Sequence, residues 1–423
     1  MELKTILNAL KNGDMSVDDA KRVLNNAEKQ LPTNIPDSPA EVLFAPGSGN
    51  NNRQTSQKNT SPDPHIALLR LKDDFEALYQ QLSNRILQQT SPADNTFFPE
   101  IVQLNKAAGG KPVFWFHAAL GTGEIYHMLA RNIQRPFYGI HARGWINDAP
   151  PIHSVPAMAA YYIHLIRSVQ PHGPYDLGGY SLGGKLSYEV TRQLQQLGET
   201  VNSIVMLDPL YVSNDVAFSN INASIQAENK SHGKGIIFQT GNFILSGKVM
   251  LEAQDIFQVL IKNHELDWAQ DEEAFLSQLI TLFNDRIRSK VPPADLAAMI
   301  NRCIEIRTAF EMHQYICRPL EYPDQVTCYY FRNKSNRFYG ELMPFFADPA
   351  LPADHTDYSL GWARHFTNFH FMDMDVSNHF MMLTNPTSNQ TITNFCETLY
   401  SLQPPSQADI TALQDEMRRI HKY

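Results

Sequence analysis

The most constraining feature of the sequence is a regular alternation of short apolar runs and amphipathic segments that begins near residue 98. The run at 112–116 is apolar without interruption, which is typical of a strand covered on both faces. The segments between the runs keep helical spacing. Such an alternation predicts an α/β fold with a mostly parallel, doubly wound sheet. The predicted strands lie at residues 112–116, 136–140, 175–180, 204–207, 325–332 and 368–374.

One connection in this pattern is much longer than the others. Residues from about 210 to 324 separate two predicted strands and are largely helical in pattern. Loops without secondary structure rarely exceed about 12–15 residues in a compact domain. The segment is therefore predicted to form a large helical lid inserted into the sheet domain.

The segments outside this sheet domain, which we place at residues 98–404, differ in composition. Residues 1–30 predict two short helices, and they suit a docking element. Residues 31–64 are rich in Pro, Asn, Ser and Gly and predict a flexible linker. Residues 65–97 predict an amphipathic helix and its lead-in, and residues 405–423 a C-terminal helix.

Charge and hydropathy argue against two classes of protein. The formal net charge of −9 is opposite to the basic surface that binds nucleic acid. No run approaches the roughly 18 apolar residues of a membrane span, and the first residues lack the apolar region of a secretory signal. The four cysteines have no metal-site spacing and predict buried thiols in a reducing compartment. We expect a soluble cytoplasmic protein.

A Gly-x-Ser-x-Gly motif places Ser181 between the strand predicted at 175–180 and the helix that follows it. A serine in such a strained strand-to-helix turn projects its hydroxyl above the carboxyl edge of the sheet, and the flanking glycines allow close packing. The positive end of the following helix favours a developing oxyanion. Ser181 is therefore the predicted nucleophile.

A serine hydroxyl needs a base near neutral pH, and histidine is the side chain with a suitable pKa. Hydrolases built on this turn carry their catalytic residues in the order serine, acid, histidine. His379 directly follows the strand predicted at 368–374, in a loop at the carboxyl end of that strand. His370 lies within the strand, and His355 and His365 precede it. His379 is therefore the predicted base.

The acid that orients the imidazole has more than one candidate. Asp208 ends the apolar strand at 204–207 and would lie at the same edge of the sheet as the serine. Asp348, Asp354 and Asp357 follow a later strand, where many hydrolases place their acid. Position in the sequence favours Asp208 and leaves the others open.

An oxyanion hole requires two backbone N–H donors near the nucleophile. Leu182, directly after the serine, is expected to supply one. The loop after the first strand, residues 117–123, contains small residues that allow close approach, and Ala119 is expected to supply the other. His117 in this loop is interpreted as a support for the loop and not as a catalytic group.

Several blocks of the sequence, in the correct order, resemble the thioesterase domains that end nonribosomal peptide and polyketide synthases, within the α/β-hydrolase superfamily. The likeness runs over about residues 110–210 and 320–390. The matching blocks are 112–121, 137–144, 158–163, 170–184, 205–208, 360–362 and 379–383.

The resemblance carries roles onto individual residues. In that family the acid follows the strand after the nucleophile's helix, which favours Asp208 over its rivals. By the same transfer, Ser181 is implied as nucleophile, His379 as base, and Ala119 with Leu182 as oxyanion donors. The implied reaction is release of an acyl chain from a phosphopantetheine thioester through an acyl-serine, by hydrolysis or by transfer to a hydroxyl or amine. No cofactor or metal is implied beyond the carrier's own phosphopantetheine.

Two departures from the family shape the expected partner. No motif for phosphopantetheine attachment is found, because Ser38 is followed by Pro39, which opposes the helix start that a carrier serine needs. The lid is also longer than usual. The chain is therefore expected to be either a freestanding thioesterase or a terminal subunit that meets an acyl or peptidyl carrier protein in trans. The helices of residues 1–30 suit a docking element for that carrier, and the alternative is a helical extension without a role. The alternative is a carboxylesterase or lipase-like hydrolase that acts on free esters through the same residues.

Overall fold

The structure, a computed structural model, describes most of the chain from Phe98 onward. The segments predicted at 1–30, 31–64 and 65–97 lie outside the described residues, as do His355 and the three rival acids. All described residues belong to one compact unit, Asn95–Tyr423. The described ranges are 98–147, 149–211, 233–251, 255–288, 290–310, 315–346, 359–403 and 405–419.

An eight-stranded sheet forms the centre of this unit, with strand order β1-β3-β2-β4-β5-β6-β7-β8. The six central strands, β2 to β7, are parallel to one another. The two edge strands, β1 and β8, run antiparallel to their neighbours. The predicted mostly parallel sheet is therefore confirmed. The strands are β1 Ile101–Gln103, β2 Val113–Phe116, β3 Phe137–Ile140, β4 Tyr175–Tyr180, β5 Val201–Leu207, β6 Thr327–Asn333, β7 Asn368–Met374 and β8 Arg418–Arg419.

Helices cover both faces of the sheet. Successive side chains of a strand point to opposite faces, so the apolar side chains of these strands need a cover on each side. Trp115 packs in the core under α1 and α11, whereas its neighbour Phe116 stacks on Tyr162 of α2. Helix α3 packs against α2 on that second face. The helices of the sheet domain are α1 His127–Ala130, α2 Val155–Val169, α3 Leu182–Gln196, α8 Met343–Phe346, α9 Ser359–Ala363, α10 Met381–Thr384, α11 Pro386–Leu399 and α12 Gln407–Asp415.

The connection between β5 and β6 contains the remaining helices: α4 Lys234–Leu251, α5 Ile256–Val259, α6 Glu272–Arg286 and α7 Pro293–Ala309. We refer to the described residues 233–251, 255–288 and 290–310 as the helical insertion. Its helices bury a core to which residues 339–346 also contribute, and in which Leu245, Leu279 and Leu296 are fully buried. A side chain at Gly241 of α4 would meet Leu279 of α6, so the two helices pack closely there.

The end of the chain differs from the predicted C-terminal helix over 405–423. The helix ends at Asp415, and Arg418–Arg419 instead form β8, which pairs with β7. The helix begins at a capping box of Ser406 and Asp409. The backbone after it pairs with two residues of β7, His370 and Phe371, at the edge of the sheet. Neither edge strand was predicted, since β1 and β8 are too short to show a periodic pattern.

The four cysteines, Cys303, Cys317, Cys328 and Cys396, are free and buried, as predicted. Within the described part of the chain, no helix is both long and apolar enough to cross a membrane.

Candidate active site

Ser181 occupies a sharp turn between the last residue of β4 and the first residue of α3. Its backbone has φ 57° and ψ −120°, a combination that non-glycine residues rarely adopt and that costs about 1–3 kcal/mol. The turn is held by the Ser181 N–H, which donates to the Leu207 carbonyl at the end of β5, 2.9 Å away. The serine therefore has the strained strand-to-helix geometry that the motif predicts.

The flanking glycines are needed because the turn lies directly against β2. A side chain at Gly183 would collide with the Phe116 carbonyl oxygen, and one at Gly179 would collide with the Gly183 backbone. The buried Tyr126 hydroxyl joins the same two strands. It donates to the Phe116 carbonyl at 2.6 Å and accepts from the Tyr180 N–H at 2.8 Å. The turn thus has little freedom to move relative to β2.

Asp208 follows β5 directly and is almost fully buried. Its φ of 48° is again in the left-handed region, and its N–H donates to the Phe331 carbonyl of β6 at 2.9 Å. One carboxylate oxygen, Oδ1, accepts from the Asn333 N–H at 3.1 Å. The other, Oδ2, lies 2.8 Å from His379 Nδ1. The strained backbone turns the carboxylate towards the histidine.

His379 lies in the loop between β7 and α10 and is 3% exposed. Its backbone N–H donates to the Arg337 carbonyl at 3.0 Å. An ionised carboxylate can only accept hydrogen bonds, so the Nδ1 nitrogen beside Asp208 carries the ring proton. The other nitrogen, Nε2, is consequently the acceptor that a general base requires.

Ser181 and His379 lie at the same edge of the sheet without a hydrogen bond between their side chains, within the described residues. Tyr180, the residue before the serine, stacks on the His379 ring with 4.7 Å between ring centroids. The Tyr180 hydroxyl also donates to the His379 carbonyl at 3.0 Å. The hydrogen bond between a catalytic serine and its histidine often tightens only when substrate binds. The pair of Asp208 and His379 is therefore formed, and the serine–histidine hydrogen bond stays a prediction.

The two predicted oxyanion donors come from the residue after the nucleophile and from the loop after β2. Leu182 is the first residue of α3, where backbone N–H groups have no acceptor within the helix. Ala119 lies in the loop after β2. The same loop passes close to Gly183, since a side chain at Gly183 would meet the His117 carbonyl oxygen. Over the described ranges, neither N–H group has a backbone acceptor. Their role as donors to an oxyanion stays a prediction.

His117 makes two hydrogen bonds that explain how the loop is held. Its Nδ1 lies 2.8 Å from the Ala118 carbonyl oxygen, and its Nε2 lies 2.6 Å from the Tyr162 hydroxyl. A carbonyl can only accept, so Nδ1 is protonated and the tyrosine donates to Nε2. Burial lowers the pKa of His117 to about 4, which keeps the ring neutral. Fixing the Ala118 carbonyl also fixes the Ala119 N–H, because both belong to one planar peptide.

The other histidines near β7 make contacts that suit packing. His365 lies between the hydroxyls of Tyr188 and Tyr211, at 2.9 and 3.0 Å. His370 lies within β7, as expected, and is 4% exposed.

Sequence reasoning missed four residues that touch the site: Tyr126, Tyr180, Asn333 and Phe338. Phe338 stacks on the His379 ring with 4.5 Å between centroids. Only the position of Tyr180 inside the Gly-x-Ser-x-Gly motif was a usable signal, because it must adjoin the nucleophile. The others approach from distant parts of the chain, and no local pattern marks them.

A parallel sheet with this order, a strained serine after β4, an acid after β5 and a histidine after β7 defines an α/β-hydrolase. Comparison with protein families agrees. The model of the thioesterase domain matches residues 111–400, and the chain belongs to that family. It is accordingly an enzyme of the thioesterase class.

Curated relatives are much larger than this chain. Polyketide synthase PksR of Bacillus subtilis (strain 168) is 43% identical over 353 residues, which is 82% of this chain and 13% of that protein. Indigoidine synthase of Dickeya dadantii (strain 3937) is 39% identical over 111 residues, 26% of this chain and 8% of that protein. The chain therefore spans only a small part of the length of these relatives.

Solved structures similar to this chain include thioesterase domains. The Vlm2 thioesterase domain is 17% identical with a TM-score of 0.44, covering 72% of this chain and 98% of that domain. A four-domain nonribosomal peptide synthetase, holo-AB3403 bound to AMP and glycine, is 18% identical with a TM-score of 0.48. That likeness covers 76% of this chain and 21% of the synthetase.

Proposed function

We propose that this protein releases an acyl chain, of polyketide or peptide type, from the phosphopantetheine thioester of a carrier protein through an acyl-serine intermediate. The observation that carries the proposal is the buried hydrogen bond of 2.8 Å between Asp208 and His379, beside the strained turn of Ser181. A histidine oriented in this way can accept a proton at Nε2. The family match supplies the class of bond attacked.

The first half of the reaction forms the acyl-serine. His379 Nε2 takes the proton of the Ser181 hydroxyl while the serine oxygen attacks the thioester carbonyl. The N–H groups of Ala119 and Leu182 stabilise the oxyanion of the tetrahedral intermediate. The carbon–sulfur bond then breaks, the imidazolium returns its proton to the departing sulfur, and the pantetheine thiol leaves. Asp208 stabilises the imidazolium throughout.

The second half transfers the acyl group from Ser181 to an incoming nucleophile. His379 takes a proton from water, a hydroxyl or an amine, and the new oxygen or nitrogen attacks the ester carbonyl. Breaking the serine ester returns the proton to Ser181. Water gives a free acid, a hydroxyl or amine of the chain gives a macrocycle, and a hydroxyl of a second molecule gives an ester. Exclusion of water from the site by the helical insertion would favour transfer to a hydroxyl or amine over hydrolysis.

The carrier protein is the proposed partner. The relative with 43% identity is a polyketide synthase, which supports a carrier-bound acyl chain as the substrate. Residues 1–30 are proposed to contact the carrier in trans. Deletion of residues 1–60 is expected to weaken turnover of a carrier-bound substrate while leaving turnover of an acyl-pantetheine unchanged. Equal turnover of the carrier-bound substrate with and without these residues contradicts the docking role.

Intact-protein mass spectrometry tests the central proposal. Incubation with acyl-pantetheine thioesters is expected to add one acyl mass, located on Ser181 by peptide mapping, and the Ser181→Ala variant is expected to add none. A matched p-nitrophenyl ester serves as the competing substrate class. Preference for that ester over the pantetheine thioester supports the carboxylesterase alternative, and an adduct on any other residue rejects the proposal.

A further inference from the structure

The imidazole of His379 is enclosed by two aromatic rings. Tyr180 stacks on one side with 4.7 Å between centroids and 20° between planes. Phe338 stacks with 4.5 Å and 16°. The two rings come from separate parts of the fold, the end of β4 and the loop after β6. We refer to Tyr180 and Phe338 as the aromatic clamp.

The clamp is anchored to the backbone as well as to the ring of the histidine. The Tyr180 hydroxyl donates to the His379 carbonyl at 3.0 Å. The His379 N–H donates to both the Arg337 and Phe338 carbonyls, at 3.0 and 3.1 Å. Asn333 binds the same loop, because its Nδ2 donates to the Arg337 carbonyl at 2.7 Å. Since the Asn333 N–H also binds Asp208, the clamp and the acid share one support.

Stacking on the ring leaves the imidazole only its edges for hydrogen bonding. The Nδ1 edge is occupied by Asp208. Rotation of the ring would break both stacking contacts and the hydrogen bond together, so the Nε2 edge is kept in one direction. The faces of tyrosine and phenylalanine rings also attract a cation. They therefore favour the imidazolium that forms when the ring accepts a proton.

We propose that Tyr180 and Phe338 are positioning residues that hold the His379 imidazole in its reactive orientation and stabilise its protonated form during both halves of the reaction. This inference rests on the proposed function, in which His379 is the base. Neither residue touches the substrate in this role. Their effect passes through the histidine.

Phe338 offers the cleaner test because it lies outside the serine turn. The Phe338→Leu variant removes the aromatic face and keeps an apolar side chain. Loss of one stacking contact is expected to lower kcat for thioester turnover about five- to tenfold, with little change in KM. The conservative Phe338→Tyr variant, which keeps the face, is expected to restore kcat to the wild-type level.

Phe243 of α4 provides a matched control. Like Phe338 it is partly buried, and both rings contact Phe380, yet Phe243 has no ring contact with His379. Phe243→Leu is expected to change thermal stability to a similar degree and to leave kcat near the wild-type value. An equal loss of kcat in Phe243→Leu and Phe338→Leu would show that packing alone matters and would overturn the proposal.

Nuclear magnetic resonance of histidine-labelled protein gives a readout that general packing does not move. The ring protons of His379, assigned by their loss in His379→Gln, are expected upfield because two aromatic rings stack on them. Phe338→Leu should shift them downfield, and Phe243→Leu should not. Unchanged His379 resonances or wild-type kcat in Phe338→Leu rejects the clamp. Failure of the wild type to acylate Ser181 instead rejects the proposed function, so the two outcomes are distinct.

Discussion

The carboxyl edge of the sheet and the helical insertion hold their residues in place by different means. At the sheet edge, the carboxylate of Asp208 is buried and paired, and its position follows from the pairing of β5 with β6. In the insertion, apolar side chains such as Leu279 pack between helices, and the buried Asn242 is a local exception that binds the Ile261 and Phe345 carbonyls.

This difference separates catalysis from stability. A change at the sheet edge removes a directed hydrogen bond or a reacting atom but little buried apolar surface. A change inside the insertion removes packing but no reacting group. Substitutions at the edge should therefore lower turnover more than stability, and those in the insertion should do the reverse.

The largest expected effect is that of Ser181→Ala on turnover. Because serine and base act as a unit, kcat is expected to fall by about 10⁶. The variant keeps the fold, so the midpoint of thermal unfolding should stay close to that of the wild type. Kinetics with an acyl-pantetheine thioester and calorimetry measure both quantities. A loss of turnover of only a few-fold would contradict the role of Ser181 as nucleophile, and with it the assignment of catalysis to the sheet edge.

Asp208→Asn comes next. The amide keeps the shape of the side chain but no longer holds the His379 tautomer, so kcat is expected to fall by about 10⁴. Asp176→Asn is the matched control, since Asp176 is also a buried carboxylate of the sheet and binds Arg135 at 2.6 Å. It lies near the start of β4, away from the serine turn. The control is expected to lose stability and to keep its turnover.

Leu279→Ala tests the other side of the comparison. The side chain is fully buried between helices of the insertion, and its truncation is expected to cost about 2–5 kcal/mol of unfolding free energy. Turnover of a small acyl thioester, measured well below the unfolding temperature, should change only a few-fold. Urea unfolding and steady-state kinetics measure the two effects. A loss of turnover comparable to that of Asp208→Asn would remove the distinction between the regions.

The pH dependence of the unfolding free energy tests whether His117, in the loop beside the serine, is buried and neutral. Burial lowers the pKa of His117 from 6.5 to about 4, so the unfolded chain binds this proton more readily than the folded one. The stability that this group contributes is complete above about pH 6.5 and is lost as the pH falls towards about 4. The shift corresponds to about 3 kcal/mol.

His117→Asn removes this titration and should flatten the dependence of unfolding free energy on pH between those limits. His141, whose pKa burial also lowers to about 4, stays in the variant and contributes a residual slope of the same sign. Urea unfolding near neutral pH and near pH 4.5 measures the slope. Identical slopes in variant and wild type would contradict the buried neutral histidine.

The smallest expected effect lies on the surface of the insertion. Glu305 is largely exposed and pairs with Arg302 at 2.7 Å, three residues earlier on α7. Exposed pairs of this spacing contribute about 0.5 kcal/mol or less. Glu305→Gln should therefore change neither the unfolding midpoint nor turnover measurably. A large change in either quantity would show that this ion pair contributes to stability or to activity.

Much of the catalytic arrangement was determined by the sequence alone. Apolar periodicity located the central strands, and the Gly-x-Ser-x-Gly motif located the strained turn at Ser181. Asp208 follows a strand directly and His379 lies in the loop after another, and parallel strands end at one edge of a sheet. Position alone left other acids open, and the resemblance to the thioesterase family favoured Asp208. Local patterns report such features reliably, since burial and backbone preference act over a few neighbouring residues.

Only the tertiary structure decided which side chains meet across the fold. The stacking of Tyr180 and Phe338 on His379 joins three distant segments, and β8 forms by pairing with the distant strand β7. Such contacts depend on the order of the strands and on the path of the loops between them. A short stretch of sequence carries no record of its distant neighbours, because the contact is created by the whole sheet.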